Sequence, residues 1–518
     1  MIAKKPKSKR TIPIALSLIL LFLLSGCFVE QFLKGTEGEN QGKNPVQGLQ
    51  SINCNILIVG GGIGGVHTAY QLAKRGKESV CLFELENRLG GRILDVSFDG
   101  KETSPRIGVG ARRILTGHSL VELAKELGIT FNEPLNRGDL IFARGQHAES
   151  KDELAKLAFP SLASLDKTSQ KETEVEDALY KQLKHVTKQH IPDFPSFVKT
   201  AVGPEGYHYL LDVSRFRGDF QYPIDTKSYL DWLKEESKFD NAKLIYPVGG
   251  MGEFINRMDQ AAKTNGVRIF TSQPVKKISH GNTGYVAITP SYEINANKVI
   301  LAVNAAKLKL IHGDVPDKIV KSAQFQQLLG IPVVTVTQWW LKPWWKNAYL
   351  GKEINRVWTT DHCINLMEIP SDDYGSRQRV TRTVYSDEMV CVALWQKLNE
   401  ISVQAVETEI IRELNGMFPD IQIPKPLKTY VKVWPDAWYW LKAGSPFNNC
   451  DIAHWAVKPI IGEPIYLVGE SYNPQRATWS EGAINSSIAT LNSGFGFKLP
   501  DSATNLVCKP SFSKKTVH

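Results

Sequence analysis

The sequence predicts an α/β protein built around a Rossmann-like nucleotide-binding domain, and three observations favour this fold class. The apolar run Ile56–Val59, rich in β-branched residues, leads directly into a glycine-rich turn and then into a helical segment. A second apolar run, Val80–Phe83, ends in the acidic residue Glu84. The 518 residues are 42% hydrophobic and 22% charged, which is ordinary for a globular protein with more than one domain.

The glycine-rich turn has the spacing G-x-G-x-x-G between a predicted strand and a predicted helix. This context is typical of dinucleotide binding, because the glycines permit a tight turn and let a pyrophosphate reach the helix N-terminus. Glu84 follows at about the distance, roughly 20 residues, where an acid accepts hydrogen bonds from an adenosine ribose. Such turns also serve packing alone, but the flanking strands and Glu84 favour nucleotide binding. The predicted binding residues of the turn are Gly60, Gly62, Ile63, Gly64 and Gly65.

The segment from Glu84 to Arg92 resembles the E-x-x-x-R-x-G-G-R block of the flavin-containing amine oxidases. The resemblance implies FAD, not NAD, as the cofactor, with Arg88, Gly91 and Arg92 approaching the phosphates. A solvated basic turn is the alternative. The resemblance also implies an FAD-binding domain of the amine oxidase (GR2) type, a mixed-sheet substrate domain and an inserted helical lobe.

The segment Arg106–Ile114 resembles the region of the L-amino-acid oxidases that runs under the flavin. By this resemblance Gly110, Ala111 and Arg112 contact the cofactor, and Arg113 holds the substrate carboxylate, for which a guanidinium is well suited. Either arginine could instead be an ordinary ion-pair partner.

Further segments resemble FAD-contacting regions of the same family. The resemblance implies that the Val275 backbone contacts the adenine and that Glu470 reaches the ribityl chain. It places the start of a helix against the pyrimidine edge of the flavin. The residues at this helix start are Gly482, Ala483 and Ile484.

On the substrate side, aromatic residues are expected to orient the amine. Trp479 precedes the flavin-contacting helix, and Trp438 belongs to the aromatic-rich segment 434–440. Aromatic clusters are often core, so Trp438 can be a core residue or belong to a substrate cage. Glu368 lies where some members have a carboxylate-binding tyrosine. We expect it to be a solvated strand residue or to meet a cationic substrate side chain.

Thr335 is the most informative departure from the family pattern. The gastropod mucus and ink L-amino-acid oxidases have a lysine in the corresponding segment, which the resemblance assigns to a water near flavin N5 and to the reaction with oxygen. Lys342 is seven residues away and cannot simply replace it on a strand. We therefore expect Thr335 to slow the reaction with oxygen.

The N-terminus predicts export. Residues 1–26 carry five basic residues and no acid, so the formal net charge of +9 falls to +4 without them, too little to indicate nucleic-acid binding. The basic start precedes the apolar run Ile14–Leu24, as in a secretory signal. The following Leu24–Cys27 resembles the lipobox of bacterial lipoproteins, which implies lipidation of Cys27 and a membrane-anchored protein on the periplasmic or cell-surface side. An uncleaved anchor over Ile12–Val29 is the alternative. Six cysteines remain; export permits disulfides, whose pairing the sequence leaves open.

Together these features predict FAD-dependent oxidative deamination of L-amino acids, with basic ones suggested by the gastropod likeness. The partners would be an amino acid or amine and oxygen, with a homo-oligomer as an option. The alternatives are an amine or polyamine oxidase, and a surface FAD dehydrogenase or binding protein that reacts poorly with oxygen.

The expected domain organisation has an FAD-binding domain assembled from three separate stretches of the chain, 51–115, 243–305 and 456–500. The helical lobe is expected over 116–242 and the substrate domain over 306–455. The remaining segments are a signal peptide over 1–26, a tether over 27–50 and a tail over 501–518.

Overall fold

Five parallel strands, with an antiparallel pair at one side, form the sheet that carries the glycine-rich turn. Its central strands are β1 (Gln50–Val59) and β13 (Tyr292–Leu301), which pair in parallel along their whole lengths. The apolar run Ile56–Val59 is buried, as expected for an inner strand covered on both faces. The other strands of this sheet are β2 (Val80–Phe83), β10 (Arg268–Phe270), β11 (Lys277–His280), β12 (Tyr285–Ile288) and β19 (Ile465–Leu467).

This computed structural model describes residues 48–76, 78–100, 106–132, 139–162, 179, 182–183, 191–237, 242–347, 357–369, 379–474, 477 and 479–500. The described residues from Leu49 onward belong to one unit. The predicted signal peptide, Cys27, nearly all of the tether and the tail 501–518 lie outside the described residues, so the export and lipidation of this chain stay predictions. Within the described residues, no helix is both long and apolar enough to span a membrane.

A second, mixed sheet of seven strands accompanies the first, and together they confirm the predicted α/β fold class. Its centre is β14 (Leu328–Trp339), flanked by β17 (Val380–Ser386) and β18 (Lys428–Leu441). The remaining strands are β7 (Asp139–Ala143), β8 (Gln146–Ala148), β15 (Val357–Thr360) and β16 (Leu366–Glu368). Only the β7–β15 pair is parallel among the described pairs of this sheet.

The segment 116–242 contributes strands as well as the expected helices. Its strands β7 and β8 form a hairpin on the second sheet, closed by Arg144 and Gly145, which both have positive φ. Type I′ two-residue hairpin turns need this backbone conformation at both central positions. The charged, polar-faced segment Glu172–Val186 also predicts a helix, but it lies almost wholly outside the described residues.

The helices surround these two sheets. They are α1 (Ile63–Arg75), α2 (Ser119–Leu127), α3 (Lys151–Ala158), α4 (Phe194–Val213), α5 (Thr226–Glu236), α6 (Gly252–Thr264), α7 (Ala305–Leu308), α8 (Asp314–Val320), α9 (Met389–Ile401), α10 (Val403–Met417), α11 (Asn449–Ala456) and α12 (Ser480–Phe495). One core cluster holds α1, α6 and α12 together through Val66, Phe254 and Ile484. Gly203, with φ of 72°, and Pro204 interrupt α4.

Five short strands of the described residues pair with one another within residues 95–247. They pair β3 (Asp95–Ser97) with β4 (Arg106–Gly108), and β5 (Ile114–Leu115) and β6 (Phe131–Asn132) with β9 (Leu244–Pro247). These pairings place the segment that carries Gly110 to Arg113 between the two large sheets.

Two disulfides, which the sequence left unassigned, join neighbouring elements. Cys54–Cys81 links β1 to β2, and Cys363–Cys391 ties the loop before β16 to α9. Cys450 is also disulfide-bonded.

Candidate active site

The glycine-rich turn leaves open space at one glycine and allows close packing at the others. A Cβ at Gly60, where φ is +104°, would lie 2.4 Å from the carbonyl oxygen of Ala302. A Cβ at Gly65 would lie 2.1 Å from the carbonyl oxygen of Gly60. At Gly62 a Cβ would meet no atom within 4 Å. Gly62 is the N-cap residue of α1, so no side chain accepts a hydrogen bond from the first N–H groups of the helix. The free N–H groups of this helix start therefore face space that suits a pyrophosphate.

Glu84 is held against the same turn. Its Oε2 accepts a hydrogen bond from the Gly61 backbone N–H at 2.6 Å, and its Oε1 accepts one from the Glu86 N–H at 2.7 Å. Burial raises the pKa of Glu84, and these two N–H donors oppose that shift. Glu84 thus fixes the shape of the turn, and each of its oxygens has a second lone pair with which to accept a ribose hydroxyl.

The two arginines of the G-G-R block take different positions. Arg88 donates to the carbonyl oxygens of Gly91, Leu89 and Ile93, at 2.8 to 3.2 Å, so it braces its own loop. Arg92 reaches across to the second sheet, where Nη1 donates to the Ala437 carbonyl at 2.6 Å. The resemblance predicts that both arginines approach the phosphates; in the structure the recorded contacts of Arg88 are internal to the loop and to Glu86.

Two later segments converge on Arg92. Glu470 accepts from Arg92 at 3.0 Å through Oε2 and from the Tyr439 N–H at 3.1 Å through Oε1. Gly110 passes so close to Arg92 that a Cβ there would lie 1.8 Å from the Arg92 carbonyl oxygen. The structure thereby brings together three segments that the sequence assigned separately to one cofactor.

The start of α12 abuts the start of α1. A Cβ at Gly64 would lie 3.1 Å from the Ala483 carbonyl oxygen, and Ile484 is buried beside Ile63 and Val66. Helix α12 begins with no side-chain cap, and the Gly482 N–H donates to the Trp479 carbonyl at 3.1 Å. Val275 is buried in the core that also contains Phe83, on the side where Glu84 ends β2. These residues fit an extended dinucleotide that carries an acceptor-rich ring.

Beside Gly110, three arginines surround one buried carboxylate, and we call Arg112, Arg113, Arg382 and Glu368 the Glu368 cluster. Arg113 pairs with Oε1 of Glu368, whereas Arg382 and Arg112 pair with Oε2, the latter at 3.2 Å. The Glu368 side chain is 0% exposed. The expectation that Glu368 is a solvated strand residue was therefore wrong, because its strand lies inside the second sheet and faces the arginines.

Arg113 is the most accessible member of the Glu368 cluster. Its side chain is 16% exposed, compared with 4% for Arg382 and 2% for Arg112. Burial acts to lower the pKa of Arg113, but Glu368 and Tyr246 outweigh it and raise the pKa above its ordinary value. Burial lowers the pKa of Arg382, which Glu368 opposes and the other two arginines reinforce. Arg113 is therefore a charged donor that can still meet a ligand.

An aromatic wall extends from the Glu368 cluster. The Arg382 guanidinium lies 4.6 Å from the centre of the Tyr385 ring, and Tyr385 contacts Phe216 at 6.1 Å between ring centres. Phe216 contacts Trp438 edge-on at 5.7 Å. The predicted cage residue Trp438 thus belongs to the core and also continues this wall.

Thr335 lies in the same region of the second sheet and is almost completely buried. Its Oγ1 donates to the Val109 carbonyl at 3.0 Å, and the Trp434 indole N–H donates to the same oxygen at 3.0 Å. Thr335 pairs with Tyr385 on β17 and with Lys432 on β18. The side chains of directly paired residues project to the same face, so these three form a row across the sheet.

Trp479 lies at the start of α12 and packs against α2. It meets His118 edge-on, with ring centres 4.9 Å apart. Glu481 lies 3.5 Å from His118 Nε2 and accepts from the Ser119 N–H at 2.8 Å. These contacts fix the starts of α2 and α12 relative to each other.

Sequence reasoning missed Arg382, Phe216, Tyr385 and Lys432 as neighbours of the predicted site. A signal existed for Arg382, because an arginine amid the β-branched residues of Val380–Ser386 indicates a buried ion pair. Its partner Glu368 could not be found in the sequence, since strand register decides which residues meet.

Comparisons with known proteins find relatives over most of the chain. Residues 63–490 match the family described as flavin containing amine oxidoreductase. Aplysianin-A from Aplysia kurodai is 22% identical over 509 aligned residues, covering 85% of this chain and 90% of the relative. Lysine-specific histone demethylase 1 homolog 2 from Oryza sativa subsp. japonica is 24% identical over 264 residues, covering 47% of this chain and 31% of the relative.

A solved structure of a redesigned putrescine oxidase has the same fold. Its TM-score is 0.63 at 15% identity, and the match covers 86% of this chain and 99% of that chain.

Proposed function

Because the chain belongs to the flavin-containing amine oxidoreductase family and FAD is its cofactor, we propose that it oxidises the α-amino group of amino acids. The observation that carries this proposal is the position of Arg113, a charged and partly exposed arginine beside the loop that meets the G-G-R block. A substrate with a carboxylate gives this guanidinium a partner. A simple amine does not.

The charges around Arg113 favour a carboxylate of the substrate at this position over a positively charged group of the substrate. Arg112, Arg113 and Arg382 share the single carboxylate of Glu368, so the four side chains of the Glu368 cluster sum to two positive charges. An uncompensated charge out of water is costly, and a substrate carboxylate would neutralise it. The only acid in the Glu368 cluster is already occupied by arginines, so it offers no site for a cationic substrate tail.

The residues of the chain position the substrate and exclude water. When bound, FAD accepts the hydride that leaves the substrate Cα. Arg113 would hold the carboxylate, and the aromatic wall of Tyr385, Phe216 and Trp438 would border the side chain. Holding the reacting carbon in place supplies much of the rate when a cofactor carries the chemistry. Water would then hydrolyse the imine to a 2-oxo acid and ammonia, and oxygen, as electron acceptor, would be reduced to hydrogen peroxide.

The replacement of Arg113 by methionine tests this proposal. Arg113→Met keeps much of the side-chain volume and removes the charge, so FAD binding should survive. The loss of a charge-assisted partner of a desolvated carboxylate costs about 2–5 kcal/mol. We expect kcat/KM for an amino acid to fall roughly 30-fold to several-thousand-fold. The same measurement on the decarboxylated amine should change little.

Arg112→Met serves as the matched variant at the neighbouring position. It should lower kcat/KM for the amino acid less than Arg113→Met does, because the more buried Arg112 is less able to contact the substrate. An equal loss on amino acid and amine in Arg113→Met would contradict the proposal and favour amine or polyamine oxidation.

Thr335 favours a second candidate, a surface FAD dehydrogenase that reacts poorly with oxygen. Its Oγ1 is bound to the Val109 carbonyl and carries no charge that could assist oxygen. Reduction of the bound flavin by an amino acid in anaerobic buffer, with slow recovery in air, would identify this activity.

A further inference from the structure

We propose that Glu368 and Arg382 are a specificity-determining pair that sets the affinity of Arg113 for the substrate carboxylate. The inference rests on the proposed function and extends it to two residues that do not hold the substrate themselves. Glu368 would act as a built-in competitor for Arg113. Arg382 would limit that competition by occupying the other oxygen of Glu368.

The strands hold this pair in place. Glu368 on β16 and Arg382 on β17 are directly paired in the antiparallel register. Oε2 of Glu368 receives Arg382, and Oε1 receives Arg113 from the segment between the two sheets. Arg112 also pairs with Oε2, at 3.2 Å. Because one carboxylate joins these guanidiniums, a change in charge at either strand position acts on Arg113.

Arg382 acts on the substrate through charge. Its side chain is 4% exposed and stacks on Tyr385, so contact between its head group and a substrate is unfavourable. Its Nε is buried without a hydrogen-bond partner among the described residues. A charge at this depth is screened far less than one on the surface, so its field reaches the neighbouring site.

The two residues should shift carboxylate affinity in opposite directions. Glu368→Gln removes a negative charge and should lower KM for the amino acid by about tenfold, while Arg382→Met removes a positive charge and should raise it by about tenfold. The double variant Glu368→Gln/Arg382→Met has the same net charge as the wild type and should return KM close to its original value. The KM for the decarboxylated amine should not follow this pattern, because the amine has no carboxylate.

The affinity for carboxylate can also be measured without turnover. Benzoate and its neutral analogue benzamide are titrated into the FAD-loaded protein, and the flavin absorbance reports each Kd. Benzoate affinity should rise in Glu368→Gln and fall in Arg382→Met, whereas benzamide affinity should stay constant. Glu409→Gln and Arg412→Met change a surface ion pair in the same way and serve as controls that should leave both affinities unchanged.

The outcomes separate this inference from the proposed function. If Glu368→Gln does not fold, the comparison of Arg382→Met with the double variant still measures the effect of removing Glu368. Changes of the same sign in all variants, or equal changes for benzoate and benzamide, would overturn the inference and show a structural role. A wild type that oxidises amines but not amino acids would instead overturn the proposed function.

Discussion

At the scale of single residues, His67 is a buried titratable group that the proposed reaction does not use. It lies in α1 behind the glycine-rich turn, and its Nδ1 is 2.8 Å from the Ser487 Oγ in α12. Burial lowers the pKa of His67 from 6.5 to about 4. The neutral ring therefore contributes to the contact between the two helices that start at the cofactor site.

This shift predicts a loss of stability in acid. The unfolded chain binds a proton at His67 near pH 6.5 and the folded chain only near pH 4, so stability is complete above pH 6.5 and falls as the pH decreases to 4. A difference of this size corresponds to about 3 kcal/mol. We expect the free energy of unfolding of the wild type to fall more steeply over this window than that of His67→Gln. Parallel curves from denaturant titrations at several pH values across this window would contradict the prediction.

Residue-level prediction succeeded where a residue type is tied to a local backbone. Gly62 and Glu84 were found because the fingerprint needs them at fixed spacing, and both lie at the predicted turn. Arg113 is predicted by resemblance to hold the carboxylate, but its observed partner Glu368 lies 255 positions away and is selected by strand register. A sequence without relatives contains no signal for that distance.

At the scale of elements, β14, β17 and β18 bring Lys432, Thr335 and Tyr385 into one row. Lys432 is half-buried, with Nζ 4.7 Å from the centre of the Trp434 ring, and Trp434 in turn contacts Gly110. Burial lowers the pKa of Lys432. No acid pairs with it among the described residues. Position 335 therefore has no positive charge, but Lys432 on the neighbouring strand β18 supplies one.

Lys432→Met tests whether this cation assists the reaction with oxygen. Electron transfer to oxygen creates negative charge, which a nearby cation stabilises. We expect reoxidation of the reduced protein in air to slow by about tenfold. Anaerobic reduction should change little. Lys428→Met, an exposed lysine on the same strand, is the control. An unchanged reoxidation rate, measured by stopped flow, would exclude Lys432 from this step.

Helices and strands were predicted correctly where the sequence has a strong pattern of apolar residues. The buried strands around the glycine-rich turn and the helix after Trp479 were predicted near their observed positions. The hairpin of β7 and β8 was missed within a segment expected to be mostly helical, because Arg144-Gly145 is not one of the usual turn sequences. Its strands depend on pairing with β15, which comes more than 200 residues later.

At the scale of the whole molecule, the disulfides bear on where the chain folds. Cys54 and Cys81 are 27 residues apart, and closing such a loop contributes roughly 3–4 kcal/mol in the chain-entropy treatment. Such bonds persist in oxidising compartments. They support the proposal of an exported lipoprotein, which rests on Leu24–Cys27.

The anchor is tested at Cys27. We expect wild-type cells grown with labelled fatty acid to incorporate the label into the protein, and Cys27→Ala to remain an unlabelled precursor, because the cysteine thiol is the acceptor. Both forms should be present in equal amounts on an immunoblot, which controls for expression. Equal labelling of the two forms would refute lipidation at this residue.

The strand order of the sheet that carries the glycine-rich turn also determines when, during synthesis, the cofactor site can be completed. Strand β19 lies directly beside β13 and near β1, but the ribosome makes it about 400 residues after β1. At ordinary rates of synthesis this delay is on the order of 20–80 s. During that interval the glycine-rich turn exists without α12, whose start packs against the start of α1 and is predicted to lie at the flavin. We therefore expect a nascent chain not to retain FAD, and a chain that crosses a membrane unfolded to acquire the cofactor on the far side.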